Sequence, residues 1–181
     1  MRKWIALFSH TGSEISKISR AIGKTPTAII TTKRKGSSDI CVDLPQNITH
    51  TVDKPTAQDY REFLDKDALI TMHGWMRIVP PEICDEYEIL NLHPGLITKY
   101  PELKGKDPQK RVFEMLNLPD RVGCVIHKAV GEVDEGEVLM ERSTINTYPT
   151  PNVLIKSLHE MASDMWIEYL NTVLYFHESR G

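Results

Sequence analysis

The sequence predicts an α/β fold built on a mostly parallel sheet, and three observations carry that reading. Short continuous apolar runs at residues 4–8, 68–72 and 89–92 read as strands buried on both faces. The first run is followed by a small-residue loop and then by Ile15, Ile18 and Ile22 at helical spacing, the strand–loop–helix order of such folds. The chain also carries a long amphipathic pattern after residue 150, fit to cover one face of a sheet.

The elements follow in order. The loop Ser9-His10-Thr11-Gly12-Ser13-Glu14 opens the first helix. Backbone N–H groups there, with the hydroxyls of Thr11 and Ser13, form a natural anion or phosphate site. A plain Ser/Thr cap is the competing reading. One glycine and no Gly-Lys-Ser/Thr set aside the dinucleotide and Walker A fingerprints. Residues 27–32 read as the second strand, and residues 33–38 as a basic loop, mainly solvated, with a second reading in which it helps hold an anionic substrate. A short strand is expected near 48–52, a helix over 56–64 capped by Thr56, and a buried strand at 68–72.

Residues 73–81 hold a glycine and two prolines and therefore turn. Trp75, Met76, Ile78 and Val79 make that turn unusually apolar, so neighbouring protein or a flat ligand such as a fused-ring cofactor is needed to cover it. After a short helix at 82–87 comes the stretch Asn91-Leu92-His93-Pro94-Gly95. Alternation along a strand turns Asn91 and His93 the same way, at the strand end where open α/β sheets place their ligands. Ordinary hydrogen-bonded structure is the other reading of that pair.

Pro108 suits the first position of a helix continued by Val112, Phe113, Leu116 and Leu118. Residues 121–130 and 137–144 read as a two-strand ribbon, its acidic tip at 131–136 taken as surface. Leu154, Leu158, Met161, Ala162, Met165, Tyr169 and Val173 mark one face of the last helix, read as core, with Thr150 and Pro151 at its start. Repeats, low-complexity tracts and linkers are absent from the sequence, so residues 1–181 read as a single domain.

Composition narrows the function classes. The 22 Lys and Arg against 25 Asp and Glu leave a net charge of −3, which supplies no electrostatic reason for nucleic-acid or membrane-surface binding. The apolar run at 4–8 is too short for a signal peptide, and no stretch has the length of a membrane span. Cys41, Cys84 and Cys124 are far apart and lack metal-ligand spacing, so they read as reduced thiols of a cytoplasmic protein.

Four stretches, in order, carry a family resemblance: Ser9-His10-Thr11-Gly12-Ser13, Gly74-Trp75-Met76-Arg77-Ile78-Val79, Asn91-Leu92-His93-Pro94-Gly95-Leu96 and Val133-Asp134-Glu135-Gly136. The chain resembles the 10-formyltetrahydrofolate-dependent formyltransferase family over about residues 3–176, and is most similar to the branch that formylates glycinamide ribonucleotide. The resemblance implies a Rossmann-like formyltransferase fold and the transfer of a formyl group from 10-formyltetrahydrofolate, a co-substrate, to the primary amine of a small phosphorylated acceptor.

It implies, further, that the Asn91 amide donates to the developing oxyanion, that His93 donates and shuttles the proton, and that Asp134 pairs with His93. Met76, Arg77, Ile78 and Val79, with Ala129 and Val130, would line the pterin pocket, much of it through backbone. Gly12, Ser13 and Glu14 would approach the acceptor's phosphate. His127 reads as structural. The chemistry asks for no metal and no covalent enzyme intermediate, and the resemblance leaves room for a homodimer.

Departures bear on the acceptor. Glu14 stands where the family has Asn, and a carboxylate beside phosphate is unfavourable unless its side chain turns away. Thr98 replaces a proline, and residues 104–111 look partly like the corresponding loop of the methionyl-tRNA branch. The sequence closes near the end of the final helix, where the ribonucleotide branch continues into a hairpin with further phosphate contacts. The absence of an RNA-binding domain and the acidic charge argue against a tRNA acceptor. An amino-sugar nucleotide or another amine is therefore a second acceptor, and a folate- or nucleotide-binding module without catalysis is the reading from another class.

Overall fold

The apolar runs become the middle of a seven-stranded sheet in the order β3-β2-β1-β4-β5-β6-β7. The computed structural model describes residues 2–33 and 38–175. Its strands are β1 (Lys3–Phe8), β2 (Ala28–Thr31), β3 (Thr49–Thr51), β4 (Ala68–His73), β5 (Ile89–His93), β6 (Arg121–Lys128) and β7 (Val138–Ile145). β1 to β5 pair in parallel, while β6 and β7 run antiparallel, so the predicted ribbon closes one side of a mostly parallel sheet.

Helices cover both faces because the central strands are apolar on both. α1 (Ser13–Ile22) and α5 (Pro151–Tyr175) pack on the face of Trp4, Ala6, Phe8, Leu69 and Leu90. α2 (Ala57–Phe63) and α3 (Pro81–Glu86) lie on the other, against Ile5, Leu7, Ile70 and Ile89. Each large apolar side chain so buried contributes about 1.5–3 kcal/mol. Thr56 closes the start of α2 in a full capping box with Asp59, as the Thr56 expectation required.

Two expectations are corrected. α4 (Pro108–Val112) stops at Val112, and Leu116, 99% exposed, and Leu118 lie beyond it in solvent. The buried stripe of α5 is Leu154, Leu158, Ala162, Met165, Trp166, Leu170 and Leu174, whereas Met161, Tyr169 and Val173 sit beside it, only partly buried. Most of the expected basic loop, residues 34–37, lies outside the described residues. Cys41, Cys84 and Cys124 are all free thiols. Among the described residues no helix is long and apolar enough to cross a membrane.

Candidate active site

Because β2 and β3 continue to one side of β1 and β4 and β5 to the other, the sheet's switch point falls between β1 and β4. That is where open parallel sheets bind ligands, outside the carboxyl ends of the strands. The loops leaving β1 and β4 are tied together there, since the Met76 N–H donates to Ser9 Oγ at 2.9 Å. Gly12 and Gly74 both have positive φ, and an added Cβ would stand 2.4 Å from Leu44 Cδ1 and 2.8 Å from His10 Cδ2 respectively. Close approach, as well as the turn, requires glycine at both.

Leu90 and Leu92 face the α1/α5 core, so alternation turns Asn91 and His93 to the opposite side of β5. There they meet the antiparallel strand β6, with Asn91 opposite His127 in register. The tip between β6 and β7 brings in Asp134, which is buried although it lies in an acidic turn. Its Oδ2 lies 3.0 Å from His93 Nδ1 and accepts the Gly105 N–H at 2.8 Å, and its Oδ1 lies 3.3 Å from His127 Nε2. Asn91 Nδ2 stands 3.3 Å from the same His127 nitrogen. Thus one carboxylate spans two imidazoles, and the structure brings Asn91, His93 and Asp134 into one cluster. The surface reading of the tip holds for Glu132 and Glu135, which are exposed, and not for Asp134.

The electrostatics follow from these contacts. Burial alone would raise the Asp134 pKa. Hydrogen bonds from His127 and His93, the His93 charge and the Gly105 N–H outweigh it and hold the carboxyl well below its usual range. His93 also places Nε2 2.9 Å from the Leu103 carbonyl. Both partners of the ring are acceptors, so both hydrogen bonds coexist only when both nitrogens carry hydrogen. Acceptors on both sides hold the ring in place, with Nδ1 facing the Asp134 carboxylate. Gly95 leaves room for it, since a Cβ there would stand 2.9 Å from His93 Nε2.

His127, expected to be structural, stands against both Asp134 and Asn91. Its Nδ1 donates to the Lys128 carbonyl at 2.9 Å, leaving Nε2 to the Asp134–Asn91 side. Its position one residue before the end of β6, on a strand paired with β5, is the signal available in the sequence. Asp134 has φ 57, and Gly136 two residues on is forced, because a Cβ there would lie 1.7 Å from the Lys128 carbonyl oxygen.

The apolar loop after β4 divides its residues. Trp75 and Val79 are buried in the α2/α3 core, with Trp75 Nε1 donating to Tyr60 Oη at 3.0 Å. Met76 and Ile78 are 54% and 78% exposed, and Val130 and Val133 on the facing tip are also open. Gly131 lies against Pro81, which draws the two loops together. Arg77 turns away to Asp53, donating from Nε to its carbonyl at 2.9 Å, and Ala129 is half-buried with its N–H on the Ile89 carbonyl. Met76, Ile78 and Val130 thus present apolar surface, while Arg77 is drawn to Asp53 and Val79 and Ala129 pack with the α2/α3 core.

Glu14 turns inward. Its Oε2 accepts from His73 Nδ1 at 2.7 Å and its Oε1 accepts from Ser163 Oγ at 3.3 Å. Trp4 Nε1 donates to Thr71 Oγ1, which in turn lies 2.8 Å from His73 Nε2. Thr71's single hydrogen then serves that nitrogen, and the His73 hydrogen sits on Nδ1. Gly12 precedes α1, and Thr11 Oγ1 accepts the Ser13 N–H at 3.2 Å and donates to Ser13 Oγ at 2.9 Å. A cavity of about 240 Å³ lies between this loop, α5 and the end of β5, where Leu92 and Pro94 flank His93.

Solved structures with the same fold include phosphoribosylglycinamide formyltransferase from Anaplasma phagocytophilum, with a TM-score of 0.77 at 19% identity over 96% of this chain and 87% of that one. Another, from Bacillus halodurans, has a TM-score of 0.77 at 20% identity and covers 98% of each chain. The architecture is therefore the Rossmann-like formyltransferase fold. The formyl transferase family model matches residues 7–170, and the chain belongs to that family. Relatives include a methionyl-tRNA formyltransferase of Thermotoga sp., 27% identical over 83% of this chain, and a phosphoribosylglycinamide formyltransferase of Dictyostelium discoideum, 34% identical over 63%. The chain spans 45% and 56% of the lengths of these two relatives.

Proposed function

We propose that this chain transfers a formyl group from 10-formyltetrahydrofolate to the primary amine of a small acceptor. The observation that carries the reading is the Asp134 carboxylate spanning His93 and His127 beside Asn91, at the end of β5. Glycinamide ribonucleotide is the first acceptor, on the strength of the family branch the sequence resembles. An amino-sugar nucleotide or another amine is the second, favoured by Glu14 in the place of the family's Asn.

Each residue has work that its surroundings support. Asn91 offers an amide N–H to oxygen that gains negative charge, stabilisation of the kind that typically contributes 10²–10³-fold. His93, fully hydrogen-bonded beside ionised Asp134, holds a proton ready and delivers it once Nε2 exchanges the Leu103 carbonyl for substrate. His127 and the Gly105 N–H orient Asp134. Exposed Met76, Ile78, Val130 and Val133 fit the flat pterin of the donor, which supplies the activated formyl carbon.

The test is tetrahydrofolate release when the purified chain meets 10-formyltetrahydrofolate and a panel of amines. Release that depends on an amine supports the proposal. Folate binding with no release for any amine makes the chain a binding module instead.

A further inference from the structure

Residues 102–105 touch both His93 and Asp134 through their backbone. The Leu103 carbonyl lies 2.9 Å from His93 Nε2, and the Gly105 N–H donates to Asp134 Oδ2 at 2.8 Å. Two residues apart in the chain, these groups set where the ring and the carboxylate stand. The span has little regular structure of its own. A single 3₁₀ turn, Pro101–Leu103, ends at extended Lys104, and Gly105 follows with φ 87, a conformation glycine adopts freely. Such a segment takes its shape from whatever bonds its backbone groups.

One side chain bonds it from α4. Arg111 donates from Nη1 to the Glu102 carbonyl at 2.8 Å and from Nη2 to the Lys104 carbonyl at 2.5 Å. Carbonyls 102 and 104 thus go to Arg111, and the carbonyl between them goes to His93. Hydrogen bonds from a cation are roughly twice as strong as neutral ones, and the planar guanidinium presents its donors at a fixed spacing. α4 gives that fork a firm base. Val112 is buried in the α1/α5 core, and a Cβ on Gly95, in the turn after His93, would stand 3.0 Å from Pro108 Cβ. Packing alone does not account for Arg111, because its Nε is buried with no partner among the described residues. An unpaired donor of a charged group costs free energy that an apolar side chain in the same space would avoid. The two carbonyls it spans account for the guanidinium.

We propose that Arg111 is a positioning residue for the His93–Asp134 pair, holding through carbonyls 102 and 104 the backbone groups that both residues bond. It acts through the loop and not on the reacting atoms. Lys104 Nζ, 2.7 Å from Glu135 Oε1, ties the same span to the tip that carries Asp134. That the pair so held serves proton transfer rests on the formyl-transfer reading, whereas the hold itself does not.

The hold is tested apart from turnover, by NMR hydrogen exchange at the His93 Nε2–H and the Gly105 N–H of the full chain. Arg111→Met keeps an apolar stem and removes both donors, so exchange at both groups is expected to quicken about tenfold, the equivalent of one hydrogen bond. Arg111→Lys keeps the charge without the fork and is expected to exchange faster than the wild type too. It decides the matter should Arg111→Met not fold. Lys110→Ala, exposed on the same helix, is expected to match the wild type. Turnover is the second reading. For folded Arg111→Lys, kcat and kcat/KM are expected to fall together by about 10²-fold with KM unchanged. Wild-type exchange in a folded Arg111 variant, equal quickening in Lys110→Ala, or a raised KM with unchanged kcat overturns the inference. Faster exchange in the Arg111 variants of a chain that transfers formyl to no amine leaves the hold standing and removes the transferase reading. Formyl transfer by a chain whose exchange does not depend on Arg111 does the reverse.

Discussion

Asp134 Oδ2 stands 3.0 Å from His93 Nδ1, and through its other oxygen the same carboxylate reaches His127 at 3.3 Å. The two histidines are not equivalent partners. His93 is the one at the strand end, while His127 holds Asp134 from behind. Asp134→Asn is expected to lower turnover by about 10²–10⁴-fold, the range of a lost acid–base device. His127→Gln keeps the Gly105 and His93 contacts of Asp134 and is expected to lower turnover only about tenfold. Steady-state rates of the two variants check the order, and equal losses would contradict it.

The same carboxylate sets an acid limit on stability. Its pKa is depressed in the folded chain, so the unfolded chain takes up the proton first as pH falls. The contribution is fully present above about pH 4, the ordinary carboxylate value, and declines as pH drops below it. Denaturant unfolding between pH 6 and 3 is expected to show a steeper acid loss for the wild type than for Asp134→Asn.

Gly136 keeps the tip in place. A Cβ there would lie 1.7 Å from the Lys128 carbonyl oxygen, so Gly136→Ala must reopen the turn that carries Asp134. The expected result is a loss of about 2–4 kcal/mol with a disproportionate fall in turnover. Thermal unfolding and rate measured together separate the two effects.

The register of α5 gives a stability contrast. Leu170 is fully buried, so Leu170→Ala is expected to lower stability by about 2–5 kcal/mol. Val173 is only partly buried beside the stripe, and Val173→Ala is expected to cost less than about 1 kcal/mol. Chemical denaturation of both variants reads the difference directly.

That contrast also marks where the sequence is ambiguous. Met165 and Trp166, Tyr169 and Leu170, and Val173 and Leu174 form two adjacent apolar rows, and period alone cannot say which row meets the sheet. The strands were legible because continuous apolar runs suit strands covered on both sides. The Asn91–His93 pair was legible because alternation along a strand is local. Glu14 was not, since its inward turn depends on His73, 59 residues away. Leu116 and Leu118 misled for the opposite reason. Their spacing is helical, yet α4 ends before them and both stand exposed.

The central claim is that His93, held by Asp134, passes a proton during formyl transfer to an amine. The most direct measurement compares tetrahydrofolate release by the wild type and by His93→Ala across an acceptor panel that includes glycinamide ribonucleotide and an amino-sugar nucleotide. The expected result is amine-dependent release by the wild type and a fall of about 10²–10⁴-fold in the variant. Release by His93→Ala at the wild-type rate, or none by the wild type with any amine, would contradict the account.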